Sequence, residues 1–158
     1  MERRVSNAGI YGAAAISALI AFVSLFFNFS VVRGGTFRRT GFHIFQSGSG
    51  LNIALVVLTV IIALAIITIA VMRAAGMLRD HVYGYVFATL GTALAVLSLI
   101  MFITVIRISW AGATHTYTRG FGLILNLIFS ILTAVLCFAP LLMDRAAGKD
   151  RRHTHEAR

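Results

Sequence analysis

The residues of this 158-residue chain that could do chemistry are few and unevenly placed. His43 and His115 stand 72 positions apart in two polar stretches. Two imidazoles brought together from separate loops could hold a haem or a metal ion between them. No carboxylate is near either one in sequence to complete a hard-metal site or to orient the rings. His81, His153 and His155 are set among arginines, which disfavours a cation there. Arg33, Arg38, Arg39, Arg107 and Arg119 form a second group, with no acid among them. Such a group suits an anion, an acidic partner or the phosphates of lipid headgroups. Cys137 is the one cysteine, so a disulfide within the chain, a thiol relay and a cysteine-rich outer domain are all excluded. No paired carboxylates, Ser/His/Asp set or phosphate-cradling glycine loop occurs, and no enzyme is expected.

The elements that must position these groups are apolar. The chain is 59% hydrophobic and 12% charged, about half the charged content of an ordinary soluble domain. That balance places it in a membrane. Four apolar runs are expected to be helices, at about 10–32, 51–72, 82–106 and 120–143. Each has the ~20 residues that cross a hydrocarbon core of ~30 Å. The first is too long for the apolar region of a signal peptide, and no small-x-small site closes it, so a retained helix is expected. The second run is rich in β-branched residues, but a lone strand cannot satisfy its backbone in lipid. Residues 1–9 and 144–158 are polar ends. No run carries an ionisable residue in its interior, which argues against a proton- or cation-coupled transporter. The net charge of +9 lies between and beyond the runs, so it marks topology and lipid contact, and nucleic acid is not an expected partner.

Arg73-Ala-Ala-Gly76, followed by Arg79 and His81, returns 72 residues later as Arg145-Ala-Ala-Gly148 with Arg151 and His153. At the same offset Tyr11-Gly12 falls on Tyr83-Gly84, His43 on His115 and Gly50-Leu51 on Gly122-Leu123. The expected fold is therefore an all-α integral membrane four-helix bundle made by tandem duplication of a two-helix hairpin, with repeats 10–81 and 82–143. Four spans put both termini on one side. That side carries nine basic residues, five of them in the tail, against five on the other, which favours cytoplasmic termini in the plasma membrane. All five acids (Glu2, Asp80, Asp144, Asp150, Glu156) also fall on the terminal side.

Association of helices in lipid depends on small residues and buried polar groups. Candidate stripes are Ala14, Ser17, Ala21, Ser24 and Asn28 in the first run, Gly84, Ala88, Gly91 and Ala95 in the third, and Gly122, Asn126, Ser130 and Ala134 in the fourth. Asn28, Asn52, Asn126 and Ser130 are the expected polar contacts between helices, with the lining of a polar vestibule as the other reading. The R-A-A-G motif fits a helix end, arginine facing the negative dipole and glycine supplying the cap. Pro140 predicts a local kink. Thr114–Thr118 alternates as a short strand would, with 42–45 as its expected partner.

Length, four spans and a basic tail superficially resemble claudin-like tetraspans, phage holins and small accessory subunits of respiratory complexes. The cysteine and tryptophan signature of the claudin-like outer loop is absent, and none of these families is assigned. The expected role is an accessory or scaffold subunit of a larger membrane assembly, contacting lipids and other membrane subunits. A pore-forming, holin-like homo-oligomer is the alternative, and a haem- or metal-binding membrane protein using His43 and His115 is the second.

Overall fold

The computed structural model describes residues 2–32, 38–40, 50–78, 82–107 and 117–156. Helix α1 (Glu2–Val23) is followed by a 3-10 turn (Ser24–Phe26) and strands β1 (Asn28–Val32) and β2 (Arg38–Thr40). Then come α2 (Gly50–Ala74), α3 (Val82–Arg107), β3 (Tyr117–Arg119) and α4 (Phe121–Glu156). All four helices are long and apolar enough to cross a membrane, over Ala8–Phe26, Ile53–Ala74, Tyr83–Thr104 and Phe121–Met143. They form a four-helix bundle in which α1 packs on α2 and α4, and α3 on α4 and, less extensively, α2.

The interior has two apolar clusters with a polar layer between them. Tyr11, Ala14, Ala63, Ile66, Phe87 and Leu94 belong to the cluster nearer the termini. Leu25, Phe29, Leu55, Val56, Met101 and Leu123 form the one under the strands. Ser17, Thr59, Ser98, Asn126, Ser130 and Thr133 are buried at intermediate positions along their helices. Hydroxyls on the outer wall are satisfied locally: Thr68 and Thr89 donate to the carbonyls of Leu64 (2.9 Å) and Tyr85 (2.8 Å) four residues back. That is how a hydroxyl is tolerated against lipid.

The first helix differs from the expected 10–32 span at both ends. It starts at Glu2 and stops at Val23. The Ser24 hydroxyl donates to the Ala21 carbonyl (2.6 Å), the turn tightens to 3-10, and Phe27 goes extended at φ −87°, ψ 171°. Asn28–Val32 is then the middle strand of an antiparallel sheet ordered β2-β1-β3. β3 pairs with β1, joining the first loop to the second. The expected partner of the 114–118 stretch, residues 42–45, lies outside the described residues, as do 114–116.

Two glycines allow this junction. The Gly120 amide donates to the Phe29 carbonyl (2.8 Å), and a Cβ there would fall on the Asn28 carbonyl. A Cβ on Gly122 would lie 2.7 Å from the Ser24 carbonyl oxygen and 2.9 Å from Phe27. The start of α4 is thus pressed against the end of α1 backbone to backbone.

The two R-A-A-G copies end differently. At the first, Gly76 takes φ 75°, its amide donates to the Arg73 carbonyl (3.0 Å), and the Met77 amide donates to that of Met72 (2.9 Å). This is a Schellman cap. At the second, α4 continues through Arg145–Gly148 to Glu156, so the expectation of a helix end there is corrected. The first copy precedes a turn back into α3. The helical tail adds thirteen residues, about 20 Å at 1.5 Å per residue. α4 also passes Pro140 unbroken.

Candidate functional site

Among the described residues, polar side chains come together in the seams of the bundle and at Arg73, and the sheet gathers the arginines. Along the α1–α4 seam, the Asn126 amide Nδ2 donates to the Ala21 carbonyl (2.9 Å). Ala21 lies in the last turn of α1, where carbonyls lack helical partners. The Ser17 hydroxyl donates to the Phe129 carbonyl (3.0 Å). The Thr133 hydroxyl is 3.0 Å from Ser17 Oγ and 2.7 Å from the Phe129 carbonyl, so its single proton serves one of them at a time. Between α3 and α4, Ser98 donates to Ser130 (2.7 Å). Asn126 is fully buried, and its Oδ1 meets no donor among the described residues. These groups are buried between the helices.

At the other end of the bundle, Arg73 Nη1 donates to the Tyr11 hydroxyl (2.7 Å), with the guanidinium carbon 5.3 Å from the centre of that ring. Tyr11 in turn meets Phe87 edge to face at 5.6 Å. The motif's arginine therefore ties the end of α2 to Tyr11 in the middle of α1, a partner its sequence position does not disclose.

The sheet carries the arginines. Ser30 of β1 is opposite Arg39 of β2 on one side and opposite Arg119 of β3 on the other. Directly opposed residues share a face of a sheet, so Arg39, Ser30 and Arg119 form one row. The next row is Arg38, Val31 and Thr118. The Arg119 side chain is exposed and its guanidinium carbon lies 4.1 Å from the centre of the Phe102 ring near the end of α3. Phe102 packs on the cluster beneath, so the guanidinium rests on a fixed platform.

Of the residues singled out from sequence, Asn126 and Ser130 sit in the seams, and Asn28 is partly buried in β1 rather than in a helix. Asn52 lies in the first turn of α2 and Arg107 at the last position of α3. Arg38, Arg39 and Arg119 are in the sheet. Arg33, His43 and His115 lie outside the described residues. Among the described residues no group of three His, Cys, Asp or Glu could hold a metal.

Ser98 and Thr133 were missed, and a signal for them exists. Gly84, Gly91 and Ser98 repeat at seven, as do Asn126, Thr133 and Pro140, and all six are buried. The four-residue stripes drift by about 40° per step, whereas a seven-residue step returns to within about 20°. Ala134, at the far end of the α4 stripe with its strict four-residue steps, is accordingly only half-buried; Ala95, whose stripe steps by four, three and four, is half-buried as well. They lie in a recess of about 520 Å³ on the outer wall between α3 and α4, with Thr92, Leu99, Val135 and Phe138 around them. Beside it the helices meet closely: a Cβ on Gly91 would lie 2.8 Å from Cys137 Cβ.

No protein-family model matches the chain, and neither a curated protein nor a solved structure matches it.

Proposed function

We propose that this small multi-pass membrane protein is a non-catalytic accessory or scaffold subunit of a larger assembly in the plasma membrane, with both termini in the cytoplasm. The observation that carries the reading is the contrast between inside and outside. Phe87, Leu94, Ile66, Met101 and Leu123 fill the interior of the bundle, which favours a rigid body over a conduit. The outer wall has the α3–α4 recess, where alanines sit among larger apolar side chains. Small residues let another transmembrane helix approach closely, and a helix of a neighbouring subunit is the proposed occupant. The cytoplasmic assignment follows the excess of arginine on the terminal side. Descent of the two hairpins from one duplicated unit is part of the same proposal and rests on the R-A-A-G and His-x4-Gly matches at an offset of 72.

The test is the native mass of the chain extracted from its own membrane in mild detergent, with every co-purifying chain identified. The expected result is a mixed complex that Ala134→Leu, filling the recess, causes to lose its neighbour. A lone monomer would overturn the reading. A pure homo-oligomer would overturn it in favour of a pore former, and depolarisation of cells on expression would then be expected.

A further inference from the structure

We infer that Asn126 and Ser130 form a site for one water molecule, sealed in the middle of the bundle, which joins the α1–α4 seam to the α3–α4 seam. The inference is independent of the accessory-subunit reading and concerns only the interior.

The orientation of the Asn126 amide comes first. Its Nδ2 donates to the Ala21 carbonyl (2.9 Å). A carbonyl only accepts, so turning the amide over would set oxygen against oxygen. Oδ1 is therefore fixed on the other side of the group, fully buried and with no donor among the described residues. Bulk water does not reach the hydrocarbon depth of a bilayer, and an amide oxygen left bare in an apolar interior is costly. Buried polar atoms of proteins as a rule have a partner, either protein or ordered water.

Counting protons identifies the partner. Ser17 donates to the Phe129 carbonyl, Thr133 to that carbonyl or to Ser17, and Thr59 to the Leu55 carbonyl, so each of these protons has an acceptor. Ser98 donates to Ser130 (2.7 Å), but no acceptor for the proton of Ser130 itself occurs among the described residues. An acceptor without a donor and a donor without an acceptor thus stand four residues apart on one helix. That spacing puts them on one face with Cβ atoms about 5–6 Å apart. A water bonded to both at about 2.8 Å spans such a gap. It accepts the Ser130 proton and donates to Asn126 Oδ1. Ser98 Oγ has acceptor capacity for its second proton, which would complete the three bonds a buried water ordinarily makes. A cation would serve Oδ1 but offers no lone pair to the Ser130 proton, so the count selects water.

The site is closed above and below. Asn126 and Ser130 lie between Leu123 and Cys137 on α4, and Ser98 lies between Leu94 and Met101 on α3; all four flanking side chains are buried. The water is therefore a single trapped molecule and not part of a file crossing the membrane.

The experiment is a structure of the full-length protein crystallised from a lipid phase, at a resolution that shows ordered water. The expected result is a peak within hydrogen-bond distance of both Asn126 Oδ1 and Ser130 Oγ. S130A should lose it. T133V removes a hydroxyl of the same layer whose proton already has an acceptor, and should keep it. The wild-type structure alone is decisive: no peak, or Ser130 Oγ bonded directly to Oδ1, would overturn the site. A peak undiminished in S130A would overturn Ser130 as its second anchor. Loss of the peak when choline replaces sodium and potassium would overturn water as the ligand in favour of a cation.

Discussion

Helices α2 and α4 are both apolar spans, yet they are held by different forces. α4 is bonded to its neighbours through side chains: Asn126 to the Ala21 carbonyl, Thr133 and Ser17 to each other, and Ser130 to Ser98. α2 has the most apolar span, with a mean hydropathy of 3.2. Its buried hydroxyl, Thr59, donates to its own Leu55 carbonyl (2.8 Å). It packs through Ala63, Ile66 and Ala70, all essentially inaccessible, and is fastened at its end by Arg73 on Tyr11. Water drives neither arrangement, because lipid tails are as apolar as leucine. One helix is thus placed by direction-specific bonds along its length. The other is placed by close packing of small residues and one terminal clasp.

Substitutions can break this contrast in order of effect. The largest should come from the α1–α4 junction. Gly120→Val would place a branched side chain on the Asn28 carbonyl, and since backbone cannot yield without unpairing β1 from β3, a loss of about 3 kcal/mol or more is expected. Thermal unfolding in detergent reads it. The clasp on α2 comes next. Arg73→Met keeps the stem and removes the bond to Tyr11, which should cost about 2 kcal/mol for a partly buried charged hydrogen bond. Tyr11→Phe should cost less, because the ring under the guanidinium remains. The smallest effects should sharpen the comparison. Asn126→Leu removes one seam bond but also a buried Oδ1 without a donor among the described residues, and the Ala21 carbonyl keeps Ser24 as a donor. A change within about 1 kcal/mol is expected. Thr68→Val, on the outer wall of α2 with its hydroxyl turned onto its own helix, should be neutral.

The four spans were legible in the sequence because hydropathy over twenty residues is a local property. The break after Val23 was not. Residues 24–32 are as apolar as those before them and contain neither glycine nor proline. What makes Asn28–Val32 a strand is pairing with Arg38–Thr40 and with Tyr117–Arg119, the latter more than eighty residues away. Non-local pairing overrides helix preference there. The R-A-A-G motif teaches the same lesson from the other direction. Identical residues cap α2 at Gly76 and run on as helix at Gly148, because a glycine permits a left-handed turn without compelling one. The candidate arginines were visible as a group. Their arrangement as a row around Ser30 needed the register, and the placement of Arg119 over Phe102 needed the position of that ring.

The most direct test of the account is to divide the chain in the α2–α3 turn and co-express residues 1–79 and 80–158 as separate hairpins. The α1–α4 seam and the β1–β3 pairing link the two halves without the turn. The account predicts that they co-purify one to one from the membrane and that Gly120→Val in the second half abolishes this. Hairpins that insert but purify separately would contradict it: the turn would then be what holds the halves together, and the seam only a place where they happen to touch.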